Sequence, residues 1–177
     1  SGLFDTYRKG TLHFFHNTVV VRNATHPEWQ GTAVFELSTN DEKLDMRNNV
    51  VFAESPPTPT RPVALLGARD GIISGDATLA SNWLSTGVNA LDGVPGKLHD
   101  RRAKVAGFEA SLFGADPAFA DPAKFDYVPS PSSALVGKAS RVPGDHPVSL
   151  QYVLHGRAEP RPREDPPSIG AFSARVK

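Results

Sequence analysis

The sequence predicts an all-β solenoid, on two observations. The stretches LHFFHNTVVV (Leu12 to Val21), LDMRNNVVFA (Leu44 to Ala53) and ATLASNWLS (Ala77 to Ser85) lie on top of one another, and each puts an asparagine at the same point. Those asparagines, Asn17, Asn49 and Asn82, are 32 and 33 residues apart. The second observation is the pattern around them: alternating apolar residues before, an apolar run after. A period in this range belongs to a chain whose single unit cannot bury its own apolar face and stacks on its neighbours instead.

Residues 1–10 are a lead-in whose Leu3, Phe4 and Tyr7 can cover the first unit or extend a preceding one. In the first unit Leu12 and Phe14 alternate with their neighbours, and Val19, Val20 and Val21 follow the asparagine. In the second, Leu44 and Met46 alternate with Asp45 and Arg47, and Val50, Val51 and Phe52 follow. In the third the same offsets hold Ala77 and Leu79, then Trp83 and Leu84. Period-two alternation is a half-buried strand, and the β-branched run is a second strand. The asparagine between them tolerates the left-handed backbone that a sharp bend needs. Its amide can also bond to the same amide one unit up and down.

A third strand completes each unit. TAVFELST (Thr32 to Thr39) and PVALLGAR (Pro62 to Arg69) both alternate, and the pattern predicts Ala33, Phe35 and Leu37 inward, stacked on Val63, Leu65 and Gly67. Three short strands per unit make a coil of a parallel β-helix. An antiparallel sandwich also contains alternating strands, but it has no reason to repeat asparagine at one offset. Residues 23–30 and 54–61 are rich in proline and polar residues and read as loops leaving the coil at one corner. Residues 86–115 lose the pattern, and the run from His99 to Lys104 reads as a solvated turn.

Residues 116–177 are proline-dense and read as an irregular tail that packs along the coils or caps them. The expected organisation is therefore one domain, with coils over 1–115 and the tail over 116–177. Little precedes the first strand. The chain is accordingly expected to be the end of a longer β-helix, its first coil covered by a missing N-terminal segment or a partner chain, since a bare strand edge invites aggregation.

Composition bounds the function. The 177 residues carry 19 basic and 19 acidic side chains, so no global field favours nucleic acid or an anionic membrane. There is no cysteine to form a disulfide. No apolar run approaches the ~20 residues of a membrane span.

The tail carries a family resemblance. Asp116-Pro117-Ala118-Phe119 is followed by Phe125-Asp126-Tyr127-Val128-Pro129, then by Ser130-Pro131 with Ala134-Leu135-Val136-Gly137, and last by Ser168-Ile169-Gly170-Ala171-Phe172. This order resembles the end of bacterial right-handed parallel β-helix proteins of the pectate-lyase-like superfamily, whose last segment often reads DPxF, DFxL, SPAxxxG and DIGAFE. Here Asp126-Tyr127 stands for the Asp-Phe pair, and Ser168 stands for the aspartate before Ile-Gly-Ala. The asparagine column is similar to theirs. The resemblance implies a secreted or cell-surface bacterial protein that handles polysaccharide. It does not fix the activity, because the superfamily holds polysaccharide lyases, glycoside hydrolases, epimerases and surface proteins with no known reaction. It also implies that the tail residues are packing and turn elements.

If the chain acts on sugar, the site lies on an outward sheet face, where equivalent positions of successive coils line a groove. The outward columns before the bend are His13, Asp45 and Thr78, then Phe15, Arg47 and Ala80. Neighbouring coils are about 4.8 Å apart, so His13 can touch Asp45. A lyase on a uronic-acid polymer needs a base for the C5 proton and a cation for the carboxylate. The candidate catalytic residues are His13 as base, Asp45 as its orienter and Arg47 as the uronate grip. Lys43 is a second substrate cation, and Phe15 offers a ring face. The alternative is a surface His–Asp pair beside a salt bridge, which contributes little.

Glycoside hydrolysis would need two acids roughly 5–9.5 Å apart. Asp41, Glu42 and Asp45 are close in sequence, but Asp41 and Glu42 read as solvated acids in a bend. No cofactor is expected. Calcium is conceivable around Asn40, Asp41 and Glu42, or Asp70 and Asp76, without a calcium-loop motif. His16 shares its offset with Asn48 and Ser81 and is expected to bond backbone at the bend, while Trp83 is expected to pack. The expected role is thus the C-terminal part of a polysaccharide-active protein, lyase or hydrolase if an enzyme. The alternative is a non-catalytic surface, adhesion or carbohydrate-binding module.

Overall fold

A computed structural model describes residues 8–22, 31–67, 72–91, 100–144, 146–153 and 156–174. The first pass of the chain gives β1 (Gly10–Phe15), β2 (Thr18–Val21) and β3 (Thr32–Glu36). The second gives β4 (Glu42–Arg47), β5 (Val50–Ala53) and β6 (Val63–Gly67). The third gives β7 (Ile72–Ile73), β8 (Asp76–Ala80), β9 (Trp83–Ser85) and β10 (Asn89–Leu91). The fourth gives β11 (Asp100–Arg101), β12 (Lys104–Ala106) and β13 (Leu112–Gly114). Each strand pairs in parallel with its counterpart in the next pass, in the sheets β1-β4-β8-β12, β2-β5-β9-β13, β3-β6-β10 and β7-β11. The chain is all-β: among the described residues the helical content is one short 3-10 turn, Pro122–Lys124, and no helix is long and apolar enough to cross a membrane.

The core follows from the alternation. Leu44, Met46, Ala77 and Leu79 point inward with Val51, Leu65, Leu66 and Leu84, while Lys43, Asp45 and Arg47 point out. Strands β5 and β6 do not alternate, because they are covered on both faces. On β5, Val51 enters the main core and Val50 joins a second one, where Trp83 meets the tail residues Phe119, Leu135, Ala139 and Ile169.

At the bend the asparagines interlock. Asn17 Nδ2 donates to Asn49 Oδ1 at 3.1 Å, and Asn49 Nδ2 donates to Asn82 Oδ1 at 3.0 Å. The same oxygens accept the backbone N–H of the asparagine one pass earlier, at 2.8 and 2.9 Å. The amide groups also reach carbonyls of Phe14, Arg47 and Met46. In the fourth pass Ser111 stands before Leu112, which pairs with Trp83, and its buried Oγ has no hydrogen-bond partner among the described residues.

Several sequence expectations are corrected. The left-handed residue at each bend is not the asparagine but the one before it: His16 (φ 52°), Asn48 (φ 58°) and Ser81 (φ 51°). In the third strand Ala33 pairs with Ala64 and Phe35 with Leu66, one residue out from the expected register, and Ala33 is exposed. Val34 and Phe35 both pack on the core, so alternation there is broken, on the strand that is the edge of its sheet among the described residues. The pattern is not lost over 86–115. Strands β10, β12 and β13 continue the sheets, but at three residues each they are too short for a period-two signal. Asp100 and Arg101 form β11 and Lys104 opens β12, so the basic run is not simply a turn; His99 lies outside the described residues. Glu42 is not a solvated bend residue. It is buried at the start of β4, its carboxylate accepting the N–H groups of Ser38 and Thr39 and pairing with Arg8 Nε at 2.7 Å.

Beyond Gly114 the chain leaves the parallel sheets and forms two antiparallel hairpins, β14 (Phe119–Asp121) with β15 (Asp126–Pro129) and β16 (Leu150–Val153) with β17 (Arg157–Pro160). The tail returns to the first two passes. Gly170 N–H donates to Asn48 O at 2.8 Å, and Ala171 N–H donates to Thr18 Oγ1 at 3.1 Å. Gly170 has φ 98°, and a Cβ there would sit 2.9 Å from Thr18 Oγ1, so only glycine allows this approach.

Candidate functional site

The outer face of β1-β4-β8-β12 carries the candidate groups in columns set by register. His13 pairs with Asp45 and Asp45 with Thr78; Phe15 pairs with Arg47 and Arg47 with Ala80. Asp45 is the hub. One carboxylate oxygen accepts from Arg47 Nε at 2.7 Å, and the other lies 3.7 Å from His13 Nδ1. The second distance exceeds a hydrogen bond, so His13 is placed beside the carboxylate rather than bonded to it. Phe15 closes one side, its ring centroid 5.6 Å from that of His13.

Lys43 is two residues up the strand, in a different column. It pairs in register with Thr11 and Asp76 and is exposed, so the cluster does not include it. Asn17, Asn49 and Asn82 serve the bend and not the outer face. Around Asn40, the Oδ1 of that residue takes the Ser74 hydroxyl, and Glu42 is engaged as described. Among the described residues no three His, Asp or Glu side chains gather as metal ligands; Asp70 lies outside them.

One component is absent from the sequence reading. His146 of the tail lies over the face with its ring 4.2 Å from His13, tilted by 30°, and 6.0 Å from Phe15. The site is therefore two imidazoles and a phenyl ring on an Arg–carboxylate pair. No periodic signal marks His146, because it reaches the face through the tail's path and not through the repeat.

The path is fixed at the neighbouring bend. Asn48 Oδ1 accepts Ser140 N–H at 2.8 Å and the Ser140 hydroxyl at 3.3 Å, while Asn48 Nδ2 donates to Ser140 O at 2.8 Å. That orientation leaves Nδ2 facing His16 Nε2 at 3.0 Å, which makes Nε2 the acceptor and puts the imidazole proton on Nδ1. His16 therefore bonds the Asn48 side chain at the bend, and the backbone groups its ring faces are the Gly170 and Ser168 carbonyls of the tail. Its Nδ1 is buried without a hydrogen-bond partner of good geometry among the described residues. Burial, aided by Arg161, lowers the His16 pKa from 6.5 to about 4, against the opposing pull of the Gly170 and Ser168 carbonyls and of Glu164. Those carbonyls are held by Arg161, at 3.0 Å each. Trp83 is buried, near Phe52 and the second core.

No family model, curated protein or solved structure matches this chain. The functional reading therefore rests on the residues themselves.

Proposed function

We propose that this chain is part of a right-handed parallel β-helix protein of the pectate-lyase-like kind, secreted or surface-borne, that handles an acidic polysaccharide. The uronate unit lies on the outer face of β1-β4-β8-β12. The observation that supports this is the gathering of the His13, His146 and Phe15 rings beside the Asp45–Arg47 pair. The parallel passes, with asparagines bonded at one bend, support the fold reading.

In this reading the remaining Arg47 nitrogens take the uronate carboxylate, and Phe15 packs on the sugar's C–H face. Asp45 orients His13 through Nδ1, leaving Nε2 to accept the C5 proton. The C5 electron pair forms the C4–C5 double bond as the C4–O bond breaks, and His146 returns a proton to the departing oxygen. Apo geometry at such a base is often long and tightens on binding. A binding-only role is favoured by one observation: the third pass replaces the cluster with Thr78 and Ala80, so the charged groups span two passes.

The chain should be incubated with polygalacturonate, alginate and hyaluronate while absorbance from the unsaturated product is followed, with binding measured in parallel. The lyase reading expects product, reduced at least about a hundredfold in His13→Ala. Binding without product, weakened by Arg47→Ala, would leave the binding role. Neither product nor binding to any of the three polymers overturns the proposal.

A further inference from the structure

Three tail segments, 139–142, 147–149 and 160–167, line a cleft of about 880 Å³. Backbone bonds fix them to one another: Ala139 N–H donates to Pro167 O and Arg161 N–H to Ser149 O, each at 2.9 Å. Ser140 is tied in turn to Asn48. Prolines stiffen the walls, among them Pro160, Pro162 and Pro166. The cleft is therefore formed before any ligand arrives, which lowers the cost of binding. It adjoins the His13 face. His146, stacked on His13, is followed directly by Pro147 of the cleft wall. His16 of the lining is three residues along the chain from His13, at most roughly 11 Å away.

The charged groups of the lining are unequally engaged. Arg161 gives both terminal nitrogens to the carbonyls of Gly170 and Ser168. Glu164 accepts Ser168 N–H at 2.7 Å, the Ser168 hydroxyl at 3.0 Å and Ala174 N–H at 2.8 Å. Arg141 and Arg163 are exposed and make no hydrogen bond or ion pair among the described residues, so their donors are open. Asp165 is exposed and unpaired in the same sense. The lining thus holds three guanidiniums against two carboxylates, one positive charge in excess. Burial lowers the Arg161 pKa from its ordinary value, and a nearby anion offsets that cost.

These features select a ligand. Open guanidinium forks grip a carboxylate through two parallel bonds. One excess charge suits a monoanion; a phosphate dianion overcharges the cleft and meets Asp165. The prolines offer C–H surface but no N–H, so an acidic peptide finds few main-chain donors. A uronate sugar brings one carboxylate and a C–H ring face.

We propose that this cleft binds a uronate unit of an acidic saccharide, its carboxylate held by Arg141 and Arg163. The saccharide body rests on the acidic-polysaccharide reading of the sheet face; the preference for a single carboxylate rests on the cleft alone.

The test is amide-resolved NMR on the full chain, titrated with trigalacturonate, neutral galactotriose, triglutamate and inorganic phosphate. Trigalacturonate should shift the amides of Ser140, Arg141, Arg161 and Arg163. The Kd read from those signals should rise about tenfold in Arg141→Gln and in Arg163→Gln and stay unchanged in Arg47→Ala. Both cleft arginines are exposed and unpaired among the described residues, so the Tm of the variants should not move, and lost binding cannot then be attributed to unfolding. Cleft amides unmoved by trigalacturonate, binding indifferent to either variant, or equal binding of any of the other three ligands overturns the proposal. Failure of the sheet-face reading would appear instead as the absence of any Arg47-dependent shift while the cleft amides still move.

Discussion

Asn48 and Asn49 are adjacent, identical in type and fully buried, yet they do opposite work. Asn49 turns inward along the repeat and ties one pass to the next. Asn48 takes the left-handed backbone at the same bend, turns its amide outward and ties the tail to the parallel sheets. The comparison separates two kinds of order in one molecule. The first is periodic and repeats down a column. The second is made once, by contacts between residues distant in sequence, and it is the second that brings His146 onto the His13 face.

The largest effect should come from breaking the periodic column at its centre. Asn49→Ala strands Asn17 N–H, takes a donor from the carbonyls of Phe14 and Arg47 (the latter keeps His16 N–H at 3.0 Å), and also removes the link to Asn82. Buried polar groups left without partners cost about 1–3 kcal/mol each, and partial rearrangement brings the expected total to about 3–4 kcal/mol. Asn17→Ala, at the half-buried edge of the column, should cost no more than about 1–2 kcal/mol. Urea unfolding of both variants measures the gap. Equal losses would mean that the column is not a graded stack.

The two kinds of order were not equally legible in the sequence. Asparagine recurring at one offset is a chemical signal, and it located Asn17, Asn49 and Asn82 and the strands beside them. The neighbouring column of His16, Asn48 and Ser81 could be aligned by offset, but its left-handed backbone was hidden, because the three residues share no chemistry. The outward groups His13, Asp45 and Arg47 followed from strand alternation. His146 did not, since nothing local distinguishes it from any other histidine in a proline-rich segment. The third-strand register slipped by one because β6 is buried on both faces and offers no alternation to count.

Breaking the once-made contact should cost less overall but more selectively. Asn48→Ala loses three hydrogen bonds to Ser140 and forces a left-handed alanine. About 2–3 kcal/mol is expected, concentrated on docking of the tail. Hydrogen exchange should accelerate around Ser140 and Gly170 while the amides of β4 and β8 stay protected. Uniform acceleration across both regions would show that tail and parallel sheets are one cooperative unit.

The same junction should respond to pH, and the sign is fixed by His16. Its pKa is about 4 with the tail docked and returns toward 6.5 when the junction opens. Between those values the open state binds more protons than the docked one, so docking weakens as pH falls from about 6.5 to about 4 and is insensitive to His16 above that window. The loss is at most about 3 kcal/mol, at 1.36 kcal/mol per pKa unit. The charge that would form is opposed by burial and by Arg161, whose guanidinium grips the carbonyls of Ser168 and Gly170; Glu164 reduces the penalty without cancelling it. His16→Asn keeps a residue that tolerates the left-handed bend and removes the titration. Tail proteolysis followed from pH 7 to pH 4 should rise steeply in the parent chain and stay flatter in the variant. Parallel curves would assign the acid sensitivity to other groups and leave His16 with a packing role only.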